Sequence, residues 1–521
     1  MSEKYPQQPP PQYGYGGLGS QEAISGSYQQ HGYQQHVAYP PPAGPPPPTA
    51  GQQSGVHINQ SPKFQDLWAS VLFGLLLASF AVLAAIAIPA INASSSGSSG
   101  PLPVKDAAIV IGLGVGTASL MSAFYYWLMM KFPGFLVRAT FVFAIISNFL
   151  LAAFFFVQRQ WGAGIIWVVL AIIFAWVYWS WRSRIPFAIL MLENVLDVAS
   201  RYPSLFVVAF VQLVFTIGWV ILWSITVVGL TVKFAAPNSS TGSNSASAPQ
   251  IILWVYSIFS MYWVAQVIAN VGHVTTAGLY ATYYFLGIQN PASGTVDINV
   301  SSPVLASFKR ASTTSFGSIC FGSLLIAIIQ TLRAIAENSR NRSADNGNLI
   351  GVFIGACLAC LLQMLGDLVE YFNVYAFAEV AIYGKDYCSA AKDTWNLVKR
   401  KGVDAIINDS IVGNVLGMGT LLVGVLSAAV GGVYVAFSDS VKANWFRWAG
   451  TTNPAGVIVL GAVVCLMIGF AIFGCVASII NAGVATTFVC MAEDPYALAR
   501  TKPALFQEIQ RVYPQINFYV S

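Results

Sequence analysis

The chain has 521 residues, 56% hydrophobic and 9% charged, with a mean hydropathy of +0.64 and a formal net charge of +5. A soluble domain carries roughly a quarter of its residues charged, so the composition excludes an ordinary water-soluble domain as the body of this chain. The apolar residues come in blocks of twenty or more, the length that crosses a hydrocarbon core of about 30 Å. The expected fold is an all-α polytopic membrane helix bundle, and the positive balance fits anionic lipid at the inner leaflet rather than nucleic acid.

Residues 1–60 are of a different kind. "YPQQPPPQYGYGGLG" and "YPPPAGPPPPTAGQQ" are rich in Pro, Gln, Gly and Tyr. Such a segment buries too little apolar surface to fold alone and reads as a disordered cytoplasmic tail. Pro10, Pro11 and Tyr13 belong to a PPxY motif, the polyproline form that WW domains bind, so a WW-domain ubiquitin ligase is a candidate partner. The first apolar block starts only near Leu67, so no cleavable signal peptide is expected.

Ten apolar blocks follow, at roughly 68–91, 107–130, 135–157, 164–181, 204–232, 252–286, 316–336, 350–384, 412–438 and 455–491. The sixth, eighth and tenth exceed what one crossing needs and read as long helices that project beyond the bilayer. Residues 65–491 thus form a ten-span transmembrane domain, and 492–521 a cytoplasmic C-terminal tail. Segments 185–201, 303–315 and 386–401 mix apolar with charged residues and are expected as short amphipathic helices along the inner membrane face. Most Lys and Arg then fall on the side of the N-terminal tail, which places both termini in the cytoplasm. The sequons at Asn92, Asn238 and Asn341 fall outside and are candidate glycosylation sites.

Seven cysteines lie almost entirely within apolar blocks, so no disulfide framework is expected. Cys357 and Cys360 form a CxxC without a second ligand pair. They read as small buried residues at a helix interface rather than as a metal site. There is no P-loop, HExxH or nucleophile-elbow motif, so neither an enzyme nor a cofactor is indicated.

"ANVGHVTTAGLYATYYF" (269–285) is unusually polar for a span. On a helical wheel Trp263, Gln266, Asn270, His273, Tyr280 and Tyr284 share a sector of about 100°. That stripe suits protein or water better than lipid, either as the lining of a substrate path or as interhelical hydrogen bonding. In the eighth span Asp367, Glu370 and Asn373 recur at every third position. Asp367 and Glu370 are candidate groups for binding a proton or cation, whereas Glu379 fits the inner interface, where an acid costs little. Trp219 lies mid-span, away from the interfacial belts that most membrane Trp occupy. With Trp263 and Tyr284 it offers an aromatic face to a quaternary ammonium group.

"SPVLASFKRASTTSFGSICFGSLLIAIIQTLR" (302–333), "HVTTAGLYATYYF" (273–285) and "YFNVYAFAEVAIYGKDYCSAAKDTWNLVKRKGVDAIINDSI" (371–411) resemble the choline transporter-like family of solute carriers. The resemblance spans residues 65–500. The tail, and the short "NASSSGSSGPLPVKD" where animal relatives carry a long first outer loop, are similar to its fungal branch. The resemblance implies ten spans, cytoplasmic ends, a place in the plasma membrane and facilitated or proton-coupled movement of choline. Its pattern carries no binding residue across, because His273 and Glu379 depart from it. The expected function is a multi-pass transporter of choline or a related small organic cation working by alternating access. The alternative is a non-transporting membrane scaffold or stress component whose tail recruits partners.

Overall fold

A computed structural model describes residues 63–94, 104–235, 248–289, 296–449 and 453–512. The tail with Pro10, Pro11 and Tyr13, and the sequon at Asn238, lie outside the described residues. Asn92 falls in the last turn of the first helix, but its side chain is likewise outside them.

Among the described residues, ten helices are long and apolar enough to cross a membrane. They are α1 (Leu67–Ser94), α2 (Val104–Lys131), α3 (Pro133–Val157), α4 (Trp161–Trp181), α6 (Ser204–Ala235), α7 (Ala248–Leu286), α9 (Phe316–Asp345), α10 (Leu349–Tyr383), α11 (Tyr387–Phe437) and α13 (Pro454–Glu493). The reason is the one visible in the sequence. Without water to satisfy N–H and C=O groups, a spanning segment must close its own hydrogen bonds, and a helix does so locally. Between them run α5 (Ile185–Arg201), α8 (Pro303–Ser312) and α12 (Asp439–Ala449), and α14 (Pro495–Thr501) and α15 (Pro503–Val512) follow. A hairpin of β1 (Gly287–Gln289) and β2 (Val296–Ile298) follows α7, paired antiparallel with Gly287 opposite Ile298.

Three details differ from the sequence pattern. The segment 386–401 is not a separate amphipathic helix but the start of α11, which runs unbroken for 51 residues. At 1.5 Å per residue that is about 76 Å, so its first turns stand beyond any hydrocarbon core. Gly384 makes the sharp turn that precedes it, at φ +65°, a conformation that costs glycine nothing. Asp386 then caps α11, its carboxylate accepting the Ser389 N–H at 3.0 Å. Second, α5 is embedded over most of its circumference, with Glu193, Ser200 and Arg201 left exposed on one side. Leu192, Val195, Val198 and Ala199 are fully buried in a core shared with α2, α3, α7, α11 and α13. Third, Cys357 and Cys360 are exposed, not buried at a helix interface. They share the outward face of α10 with Phe353, Leu361 and Leu368. An outward apolar face of this length is what lipid covers.

Helices α11 and α13 pack closely. A Cβ on Gly469 would come within 2.7 Å of the Gly424 Cα, so two glycines let the backbones touch, as small residues do in membrane bundles. The C-terminal segment returns to the bundle. Lys502, between α14 and α15, donates to Asn194 Oδ1 at 2.9 Å and Asp197 Oδ2 at 2.8 Å, both on α5. Its ammonium also lies 5.1 Å from the centre of the Tyr283 ring.

Candidate functional site

Helices α6, α7, α9, α10 and α13 line a cavity of about 170 Å³ that opens to the surface, where Glu370, Ser478 and Asn481 are exposed. From α7 come Gln266, Asn270, His273 and Thr276; from α6, Gln212; from α10, Glu370 and Asn373; from α13, Ser478 and Asn481. Nearly every polar residue in the wall is an amide or hydroxyl. Glu370 is the single formal charge among the lining residues, and no Lys or Arg joins it. With one carboxylate and no cation among amides and hydroxyls, the local field favours a positively charged occupant.

Several lining groups are held from behind. Asn270 Nδ2 donates to the Ser323 hydroxyl of α9 at 2.9 Å. His273 Nε2 lies 3.0 Å from the Val374 carbonyl oxygen. A carbonyl only accepts, so that ring nitrogen carries the proton. Asn373 donates to the Gly322 carbonyl at 3.1 Å. These bonds restrict the rotamers of the wall, so its polar groups are preorganised rather than free.

The sequence stripe on α7 therefore divides. Gln266, Asn270 and His273 face the cavity. Trp263, one turn away, does not. It is 1% exposed, donates its indole N–H to the Cys320 carbonyl at 3.0 Å, and meets Phe73 edge-on at 5.4 Å. Tyr280 and Tyr284 are absent from the cavity lining. Tyr280 donates to the Val195 carbonyl at 2.8 Å and Tyr284 to the Asp494 carbonyl at 3.0 Å. Trp219 packs against Phe80 at 4.7 Å. The four aromatic candidates thus join helices, and the cavity lacks an aromatic cage among its lining residues.

Of the two acids, Glu370 lines the cavity and Asp367 does not. Both side chains are exposed, and Asp367 accepts a hydrogen bond from Gln363 on its own helix. Glu379 is buried, with Lys385 Nζ 3.6 Å from its carboxylate. Lys385 also holds Asp393 at 2.7 Å and covers the Tyr383 ring at 3.9 Å. Tyr383, Lys385 and Asp393, with Gln65 and Lys392, line an open mouth of about 480 Å³. Gln212, Ser478 and Asn481 were not legible as site residues. Polar residues are sparse in their apolar blocks and form no long stripe that marks a direction. Asn341 is exposed in the last turns of α9, at the end away from α8.

A family model described as plasma-membrane choline transporter matches residues 165–496, a stretch that contains every residue lining the cavity. Protein PNS1 of Gibberella zeae is 33% identical over 467 residues, 88% of this chain and 84% of the relative. Protein PNS1 of Cryptococcus neoformans var. neoformans serotype D is 33% identical over 485 residues, 90% of this chain and 85% of the relative. Protein PNS1 of Neurospora crassa is 32% identical over 531 residues, 97% of this chain and 92% of the relative. A ten-span helix bundle that matches in sequence over nearly its whole length belongs with these proteins: the chain is a multi-pass membrane protein of the choline transporter-like family.

Proposed function

We propose that this protein carries a small organic cation, with choline the first candidate, across the plasma membrane by exposing the α6–α7–α9–α10–α13 cavity to one side and then the other. The observation that carries this reading is the cavity wall: one carboxylate, Glu370, among amides and hydroxyls, without a basic residue. A quaternary ammonium group donates no hydrogen bond, so a carboxylate and amide oxygens are what stabilise it where aromatic faces are missing. Glu370 supplies the counter-charge. Gln212, Gln266 and Asn270 offer oxygens and N–H groups to the hydroxyl end of the solute. Trp219, Trp263, Tyr280 and Tyr284 support the helices around the site, and Asp367 takes no part. In this reading both termini are cytoplasmic, Asn92, Asn238 and Asn341 are the outer glycosylation sites, and the PPxY tail answers to a WW-domain ligase.

The test is uptake of labelled choline into proteoliposomes holding the full chain, with and without a pH gradient. Saturable uptake that falls in Glu370→Gln and Asn270→Ala supports the reading. Saturable uptake that neither substitution changes would sink the cavity as the path. Absence of uptake by folded protein would remove choline and leave other amines to be screened.

A further inference from the structure

An unbroken run of hydrogen bonds ties the cavity wall to the segment that precedes α1. Asn373 lines the cavity and is 2% exposed. Its Nδ2 donates to the Gly322 carbonyl of α9, and its Oδ1 accepts the Tyr387 hydroxyl. Tyr387 is the first residue of α11. Its backbone N–H donates to Asp66 Oδ2 at 2.8 Å, and the same oxygen accepts the Ser318 hydroxyl of α9 at 2.8 Å. Asp66 sits at φ +49°, where non-glycine residues are uncommon. Its neighbour Gln65 is anchored too, through its N–H to the Thr314 carbonyl at 3.2 Å and its Nε2 to the Gly384 carbonyl at 3.3 Å. Gly317 makes room for this segment, because a Cβ there would lie 2.2 Å from the Gln65 carbonyl oxygen.

The geometry leaves the Tyr387 hydroxyl little freedom. Its ring is flanked by Phe321 at 5.2 Å and Phe377 at 6.0 Å. A Cβ on Gly322 would lie 2.6 Å from the same ring. An amide side chain has two N–H donors and an oxygen with two lone pairs. With one N–H held by Gly322 and the oxygen held by Tyr387, the orientation of the Asn373 amide is set. Remove the hydroxyl and the Gly322 bond alone remains, so the amide can turn and present a different edge to the cavity.

We propose that Tyr387 is a positioning residue for the cavity, orienting the Asn373 amide toward the occupant, and that Asp66 holds Tyr387 in register, so that residues 63–66 and the cavity wall form one mechanical unit. The proposal rests on the cavity being the transport site. It adds that the point where the N-terminal segment joins the bundle governs how that site binds. Displacing Asp66 loosens Tyr387, and loosening Tyr387 unsets Asn373.

The experiment uses the full chain in proteoliposomes with labelled choline as the probe. Tyr387→Phe keeps the ring and removes only the hydroxyl. It should raise the half-saturation concentration about tenfold, the effect of one lost hydrogen bond, with the maximal rate unchanged. Asp66→Ala should do the same, and the double variant should be no worse than either single one, as expected of residues acting in series. If Asn373→Ala weakens half-saturation while Tyr387→Phe leaves it at the parent value, the relay is wrong and the cavity stands. If Glu370→Gln, Asn373→Ala and Tyr387→Phe all transport like the parent, the cavity reading itself has failed. A second measurement needs no substrate. A cysteine at Thr276, in the cavity wall, is alkylated with N-ethylmaleimide and followed by mass spectrometry of that peptide, so the native cysteines do not interfere. Tyr387→Phe and Asp66→Ala should each speed its modification. Equal rates in parent and variants would overturn the relay whether or not choline is carried.

Discussion

Lys502→Ala should release the C-terminal helices from the bundle without unfolding it. Lys502 is 18% exposed and makes two charge-assisted hydrogen bonds to α5, to Asn194 and Asp197. Bonds of that kind contribute about 1.5–3 kcal/mol each when buried. Here the sum is smaller, because the Asp197 side chain is 38% exposed and keeps Arg201 at 3.0 Å after the lysine is gone. A net loss of about 1.5–3 kcal/mol multiplies the population of the undocked segment by roughly ten to a hundredfold. Hydrogen exchange of the backbone amides in α14 and α15, compared between parent and variant in detergent, reads this directly when reclosing outpaces exchange. Acceleration confined to residues 495–512 is the expected result. Unchanged exchange there would mean that Leu505, Phe506 and Ile509, which pack against the core formed by α7, α10 and α13, hold the segment without the lysine. The same pair sets a pH dependence. Desolvation pushes the Asp197 carboxyl up, but the Lys502 and Arg201 hydrogen bonds and charges outweigh it and hold it below the usual carboxylate range. A depressed acid contributes stability that is complete above its unfolded value, about 3.9, and is lost as pH falls through the folded value. Exchange in α15, corrected for its intrinsic pH dependence, should therefore stay flat from neutral pH down to about 5 and rise only in stronger acid.

Substitutions at Trp263 and Gly272 separate packing from path. Trp263→Ala should cost about 3–5 kcal/mol, as truncation of a buried ring does, seen as lower thermal stability of the purified protein. Trp263→Phe should leave the half-saturation for choline unchanged, and a change there would return Trp263 to the path. Gly272→Ala puts a Cβ within 1.7 Å of the present Gln212 Oε1. That side chain must swing away, and the cavity that it lines is where it meets space. Half-saturation should weaken without loss of folded protein, and adding Gln212→Ala should restore it. Failure of the second change to rescue would show that the glycine matters for helix packing instead.

The ten spans were legible in the sequence because the forces that make them are local. A run of twenty apolar residues in lipid must be a helix, whatever stands beside it. The polar stripe on α7 was legible for the same reason, since a wheel states directions around one axis. A wheel does not state what stands in each direction, and along a helix of 39 residues the neighbours change. At Trp263 the stripe meets α1 and α9; at Gln266, Asn270 and His273 it meets the cavity; at Tyr280 it meets α5; at Tyr284 it meets the Asp494 carbonyl after α13. The acids of α10 divide in the same way. Asp367 and Glu370 are one helical step apart, yet only Glu370 reaches the cavity. The docking of α14 and α15, the unbroken length of α11 and the bond from Asp66 to Tyr387 belong to the same class. The docking and the Asp66 bond join residues far apart in the chain, 321 positions in the last case. Composition and periodicity determined that these residues would be helical and which way each would point. Only the assembled bundle decided what each would touch, because a contact needs a partner whose position no local pattern contains.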